Sequence, residues 1–128
     1  MASLPLNTFR TITAVLTTNT TATVYTAPIG VTSIVLMTQI ANLDLVNAHA
    51  VTFAHQRNFP IFADASGHNA QPAGVTTIML DAFLVPPNDA ANAVNGKMIV
   101  EQLDSVVCYA DSPGTCNITL SVLETANA

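Results

Sequence analysis

A turn between two β-branched runs near the start of the chain sets the strongest limit on the fold. Residues 20–26 and 31–42 are rich in Thr, Val and Ile, which favour strands. Between them, Pro28 fixes φ at a value suited to the second position of a turn, and Gly30 can adopt positive φ without a Cβ clash. This pattern predicts a β-hairpin in which residues 20–26 pair with residues 31–42.

The rest of the chain repeats this pattern of short strands and turns. Strand-like runs recur about once every dozen residues, which is typical of a sandwich or a small barrel, and no stretch predicts a substantial helix. We therefore predict an all-β fold, an antiparallel, jelly-roll-like β-sandwich of about eight strands. The other predicted strands are residues 9–17, 48–55, 59–63, 75–85, 98–102, 106–109 and 117–123.

Several segments carry more specific expectations. The run 32–41 is apolar on both alternating faces, which predicts a central strand covered on both sides. The run 75–85 is expected to bend near Asp81. The runs 106–109 and 117–123 flank a turn-forming Asp-Ser-Pro-Gly sequence, which predicts a final hairpin. Residues 64–74 are expected to form the longest loop, and residues 90–95 one helical turn or an irregular loop.

The length of 128 residues predicts one domain. Residues 1–8, with Pro5 and no alternation, predict an extended N-terminal arm. The sandwich is expected to span residues 9–124, and residues 125–128 to form a short tail.

Charged residues are scarce: they make up 9% of the chain, against about a quarter in typical domains. A free monomer needs surface charge for solubility, so this composition favours a subunit whose neighbours cover much of its surface. A monomer with a neutral, Thr-rich exterior is the alternative. The chain has three Lys and Arg residues against eight acids, which is too few to neutralise phosphates. We therefore expect neither nucleic-acid binding nor attraction to an anionic membrane.

The N-terminal residues lack the basic and apolar regions of a signal peptide, and no apolar run reaches the roughly 18 residues of a membrane span. We therefore expect synthesis in a cytoplasm. Cys108 and Cys116 flank the last predicted turn, so they could face each other across a hairpin and form a disulfide. A cytoplasmic origin favours two free thiols instead.

Motifs for catalysis are missing from the sequence. No serine lies in a G-x-S-x-G motif, and no Gly-rich phosphate loop occurs. His49 and His55 would share one face of a strand about 20 Å apart, too far to bind one metal ion together. His68 lies in the Gly-rich loop, where a solvated side chain is the simpler interpretation. We predict no enzyme activity, no metal and no cofactor.

Two stretches resemble a known family. The first is TVYTAPIGVTSIV (residues 23–35), followed by Ala41 and Asn42. The second is GKMIVEQLDSV (residues 96–106), completed by NITLSVLE (residues 117–124). Together they are similar to small β-sandwich virion proteins of tailed bacteriophages. The chain departs from that pattern at Ile29, where a small residue is more common, and in its cysteine pair.

The resemblance implies a non-enzymatic virion structural protein, in capsid decoration (cement), the neck or the tail, made in the cytoplasm of a bacterial host. Its partners would be copies of itself and other virion proteins, such as major capsid or neck and tail proteins. A receptor- or carbohydrate-binding adhesion module is the alternative, although the chain has no Trp and two Tyr for sugar stacking. The expected interface residues are Leu4, Pro5, Leu6, Phe9, Phe59 and Phe62.

Overall fold

The computed structural model describes residues 7–58 and 72–126, and these contain nine β-strands and no helix. The prediction of an all-β chain is therefore confirmed. The strands are β1 (Asn7–Val15), β2 (Thr23–Thr26), β3 (Val31–Asn42), β4 (His49–Arg57), β5 (Val75–Val85), β6 (Asp89–Ala91), β7 (Met98–Val100), β8 (Ser105–Ala110) and β9 (Cys116–Ala126).

The strands form two antiparallel sheets packed face to face. The first sheet has the order β1-β9-β3-β6, with β7 also paired to β3, and the second has the order β2-β8-β4-β5. The pairing is nested: β1 pairs with β9, β2 with β8, β3 with β6 and β7, and β4 with β5. A long hairpin rolled up in this way is a jelly roll, so the predicted jelly-roll-like sandwich is confirmed.

The two predicted hairpins are wrong, for a reason that follows from this topology. The turn at Pro28 and Gly30 is present, with Gly30 at φ +75° and the Val31 N–H donating to the Pro28 carbonyl at 3.2 Å. However, β2 belongs to the second sheet and β3 to the first, so the turn crosses the sandwich instead of joining paired strands. The turn at Asp111 likewise carries the chain from β8 in the second sheet to β9 in the first.

A bulge in β3 changes which of its residues face the core. Val35 lies opposite Val122 and Met37 opposite Ser121, so Leu36 is an extra residue in the ladder. An extra residue shifts the alternation by one, and the buried side chains are therefore Val35 before the bulge and Ile40 after it. Strict alternation had placed these two residues on opposite faces. The strand is central in its sheet, as predicted. The described part of the chain covers its inner face and leaves Met37 on the outer face 39% exposed, so cover on the second side stays a prediction.

Several boundaries differ from the predictions. The first strand begins at Asn7, inside the predicted arm, and the last continues through Thr125, inside the predicted tail, because these two residues pair. Residues 90–95, predicted as one helical turn or an irregular loop, begin within β6 and continue as an irregular loop. The predicted bend near Asp81 coincides with a register shift in β5 and a positive φ at Ala82. The predicted strand 59–63 and most of the loop 64–74 lie outside the described residues.

The core lies between the two sheets and is built mainly from aliphatic residues, with the rings of Tyr25 and Phe53 and two buried cysteines. Its largest fully buried side chains include Phe53, Leu16, Ile40, Ile118 and Leu120. The outer faces of the sheets are left to meet solvent or another molecule.

Candidate interaction surface

The outer face of the first sheet carries no charged side chain on its three long strands, all of which lie within the described residues. The register of β1, β9 and β3 aligns their outward residues in five rows of three across the sheet. The rows are Val15, Asn117 and Ala41; Thr13, Thr119 and Gln39; Thr11, Ser121 and Met37; Phe9, Leu123 and Ile34; and Asn7, Thr125 and Thr32.

The fourth of these rows is entirely apolar and extends onto a fourth strand. Phe9 lies opposite Leu123, Leu123 opposite Ile34, and Ile34 opposite Ile99 of β7. We call these four residues the apolar row. Phe9 is 74% exposed and Ile99 is 60% exposed, so the two ends of the row meet solvent. Covering a fully exposed side chain of this size contributes about 1.5–3 kcal/mol, which makes the row the most favourable contact on this face.

A small groove lies beside the apolar row. It is lined by residues of β1, β3 and β9, including Arg10, which is paired with Glu124, and its volume is about 180 Å³. The lining residues are Phe9, Arg10, Thr11, Leu36, Ser121 and Val122. Pockets for drug-sized ligands have volumes of about 300–1,000 Å³. The groove therefore suits a protruding side chain of a partner better than a small molecule. Leu36, the extra residue of the β3 bulge, is among the residues that line this groove.

A polar network, buried except for Arg10, lies directly behind the apolar row. The Tyr25 hydroxyl donates to Glu124 Oε2 at 2.5 Å, and Arg10 Nε donates to Glu124 Oε1 at 2.5 Å. Ser33 Oγ lies 2.6 Å from the Tyr25 hydroxyl and donates to it, since the single Tyr25 proton is already given to Glu124. Arg10, Glu124 and Ser33 each adjoin a member of the row in sequence, so the network holds in place the backbone that presents the row.

The pKa values of this network follow from burial and from these bonds. Burial, together with the bond to Glu124, raises the pKa of Tyr25 to about 12. Burial also acts to raise the pKa of Glu124, but the bonds from Tyr25 and Arg10 outweigh it and the pKa is lowered. The network therefore holds a neutral phenol and a carboxylate at neutral pH. It also joins the two sheets, because Tyr25 lies on β2 and Glu124 on β9.

A second polar cluster lies at the same end of the sandwich as the turn at Gly30. Asp104 is fully buried, and its Oδ2 lies 3.1 Å from Arg57 Nη1 and 3.5 Å from His55 Nε2. Glu101 Oε2 accepts a bond from the same Arg57 nitrogen at 3.1 Å, and the Asn58 N–H donates to Asp104 Oδ1 at 2.9 Å. The Asp104 side chain thus holds β4 and the residue that follows it against the segment before β8.

This cluster borders a cleft of about 380 Å³ that is lined by residues of β4, β5 and β7. Val75, Met79, Met98 and Ile99 contribute apolar walls, and Arg57 contributes the charge. Because Arg57 is already paired with Asp104 and Glu101, the cleft offers little net positive charge to an anionic ligand.

A histidine clamp holds two loops together at the opposite end of β4. His49 Nε2 lies 2.8 Å from Asp44 Oδ2, and His49 Nδ1 lies 2.7 Å from Asp111 Oδ1. Both partners are acceptors, so the imidazolium, which donates from both nitrogens, fits this geometry. The bonds to Asp44 and Asp111 raise the pKa of His49. The pKa of Asp44 is lowered, chiefly by the Val46 N–H and then by His49.

The clamp is not arranged for metal binding or for general-base catalysis. The two carboxylates engage opposite ring nitrogens and do not converge on one point, and neither nitrogen is left for a substrate proton. In residues 7–58 and 72–126 no group of three or more His, Cys, Asp or Glu side chains could hold a metal ion. His49 and His55 lie near opposite ends of β4, as their spacing predicted, and His68 lies outside the described residues.

Cys108 and Cys116 are both free and buried. They lie on β8 and β9, which belong to different sheets, so they do not face each other across a hairpin. Burial raises the pKa of Cys108 to about 12, and burial also raises the pKa of Cys116. Both thiols therefore stay protonated at neutral pH and act as small apolar side chains of the core.

Of the interface residues predicted from sequence, Phe9 lies on the candidate surface. Leu4, Pro5, Leu6, Phe59 and Phe62 lie outside the described residues. Leu123, Ile34 and Ile99 were missed as surface residues, because each belongs to a run that also contributes to the core. These residues lie in one row only because of the pairing register of β1, β9, β3 and β7, which the sequence does not show. The one available signal was the absence of charge from alternate residues of the segments 7–15 and 117–125.

Comparison with protein-family models, with curated proteins and with solved structures finds no match. Within the described part of the chain, there is no helix long and apolar enough to span a membrane.

Proposed function

We propose that this protein is a non-enzymatic structural subunit of a tailed-bacteriophage particle. It joins copies of itself and other particle proteins, as a capsid-decorating protein or as a neck or tail component. The observation that carries this proposal is the uncharged outer face of the first sheet with its apolar row. A face without charge can be covered by a neighbour without the cost of burying ions, and the row supplies apolar area for the contact.

The motifs that resemble virion proteins supply buried contacts of the sandwich. Tyr25 and Glu124, one in each quoted stretch, form the buried network behind the apolar row. Gly30 supplies the positive φ of the turn between sheets, and Asp104 forms the buried cluster with Arg57. These motif residues therefore maintain the sandwich and its outer face, which is the role expected of shared residues in a non-catalytic family.

The fold alone does not separate a particle subunit from a binding module, because jelly rolls serve both in viral capsids and in lectins. A sugar-binding site would need aromatic rings for stacking. The described loop at the His49 end instead exposes Leu45 and Val46, and Phe9 is the one aromatic residue in the five rows. These observations favour a protein partner over a glycan.

The direct test is the composition of purified particles. Phage particles from the source of this gene are purified on a density gradient, and peptides of this chain are quantified by mass spectrometry against those of the major capsid protein. We expect a fixed copy number per particle. A chain that is abundant in the lysate and absent from the particles would overturn the proposal.

Complementation with variants connects the result to the candidate surface. Phe9→Asp places a charge on the apolar row and should abolish incorporation into particles. Ile29→Asp is the matched control, because Ile29 is 75% exposed, against 74% for Phe9, and lies in the turn between β2 and β3. A glycan array run in parallel tests the alternative: specific glycan binding with a low copy number would indicate an adhesion module.

A further inference from the structure

We propose that the apolar row is the contact through which two copies of this chain pack face to face about a two-fold axis. This inference rests on the proposed function, since it identifies one partner and the surface that the partner meets.

The shape of the row makes it self-complementary. Its four side chains lie on one line across β1, β9, β3 and β7. A two-fold axis that lies in the interface and passes through the centre of the row, either along it or across it, places the row of one copy on the row of the other. Isologous contacts of this kind are the commonest in homo-oligomers. The apolar residues then interdigitate at the usual sheet-to-sheet spacing of about 10 Å.

The charge distribution favours a second copy as the occupant. The chain carries a net charge of −5, so two copies repel each other wherever their acids approach. The five rows contain no acid, and the nearest one, Glu124, points inward and is paired with Arg10. The one charged side chain at the adjoining groove, Arg10, is already paired with Glu124, so this face offers little charge with which to select a charged foreign partner. Its complement is another uncharged sheet face, and each copy carries one.

The rows beside the apolar row fit this packing. On one side lie Thr11, Ser121 and Met37, and on the other Asn7, Thr125 and Thr32. Short hydroxyl and amide side chains can hydrogen-bond across an interface while allowing two sheets to approach closely. An apolar centre with a polar, uncharged margin is the usual anatomy of a protein interface.

Sedimentation velocity over a concentration series from about 1 μM to about 1 mM tests the inference. We expect the wild-type chain to dimerise. Phe9→Thr and Ile99→Thr, which remove apolar contact but keep a strand-favouring residue, should each weaken the dimer by about tenfold or more. Ile29→Thr and Val46→Thr replace residues that are 75% and 78% exposed outside the row, and they should change the dissociation constant by less than about twofold. Circular dichroism confirms that each variant is folded.

Cross-linking locates the contact. Leu123→Cys places a reactive thiol near the centre of the row, and the native cysteines are buried. A short bis-maleimide should link Leu123→Cys chains into dimers far more efficiently than Val46→Cys chains. A wild-type chain that stays monomeric throughout, or row variants that dimerise as the wild type does, would overturn the inference.

The outcomes separate this inference from the proposed function. A strict monomer that is nevertheless present in purified particles at a fixed copy number would refute the dimer contact and leave the particle role standing. A row-dependent dimer that is absent from particles would refute the particle role and leave the dimer contact standing.

Discussion

Tyr25 and Glu124 are 99 residues apart in the sequence and meet in the core through a 2.5 Å hydrogen bond. This bond ties an edge strand of the second sheet to the central strand β9 of the first. Because Glu124 adjoins Leu123, the bond also determines the position of the apolar row on the outer face. The surface that we assign to assembly thus depends on polar contacts buried behind it.

Tyr25→Phe should lower the free energy of unfolding by about 1–3 kcal/mol. The change removes the hydroxyl that serves Glu124 and Ser33 and leaves buried oxygens without their partner. Urea denaturation followed by circular dichroism measures the difference. Tyr109→Phe, at the only other tyrosine, is the control and should have a much smaller effect. Equal losses in the two variants would contradict the role given to Tyr25.

Arg57→Gln should be more destabilising, by about 3–5 kcal/mol, because it removes the cation from a carboxylate that is fully buried. Lys97→Gln is the control, because it also removes one positive charge. Lys97 makes no ion pair within the described residues, so its replacement should stay within about 0.5 kcal/mol of the wild type. The same urea titration measures both variants. If Arg57→Gln had the same free energy of unfolding as the wild type, the ion pair between Arg57 and Asp104 would not contribute to stability.

The His49 clamp should make stability depend on pH in a defined direction. A histidine whose pKa is raised in the folded state contributes fully below its ordinary value of about 6.5, and the contribution is lost as the pH rises through the raised pKa. Asp44 has a lowered pKa, so its contribution is present above its ordinary value of about 4 and is lost as the pH falls through the lowered pKa.

The clamp should therefore be strongest between about pH 4 and about pH 6.5. Chemical denaturation at a series of pH values above 6.5 should show a decline in the wild type that is reduced in His49→Gln. Histidine NMR titration should place the midpoint of His49 above the ordinary value. A midpoint at or below about 6.5 would contradict the clamp.

Both cysteines should resist thiol reagents in the folded protein. Cys108 and Cys116 are buried and protonated, so an aromatic disulfide reagent should react slowly without denaturant. In denaturant without reductant, two thiols per chain should react at once. Fewer than two would indicate a disulfide and would contradict the free thiols of the structure.

The sequence predicted the class of fold well because its signals are local. Thr- and Val-rich runs and the turn residues Pro28 and Gly30 indicate where strands begin and end. They do not indicate which strand pairs with which, because a turn of the same residues can join paired strands or cross between sheets. Both hairpin predictions failed for this reason. The bulge at Leu36 was hidden in the same way, since its only sign is a shift in burial between Val35 and Ile40.

The candidate surface was predicted in part. Scarce charge predicted a covered surface and Phe9 was among the predicted interface residues, and both stay predictions. The other three members of the apolar row come from distant parts of the chain and share a face only because of strand register. The contacts of Arg57 with Asp104 and of Tyr25 with Glu124 are also long-range, so no local pattern could indicate them. The quoted motifs contained three of these four residues, but their spacing assigned them no partner.

The most direct test compares two methionines in the free chain and in purified particles. Met37 lies on the outer face of the first sheet and is 39% exposed, while Met79 lies on β5 of the second sheet and is 43% exposed. Because their exposures match, mild peroxide treatment should oxidise both to the sulfoxide at similar rates in the free chain. In particles, we expect Met37 to be strongly protected relative to its rate in the free chain, as peptide mass spectrometry would show. If Met37 reacted in particles as fast as in the free chain, the uncharged face would not be a covered surface.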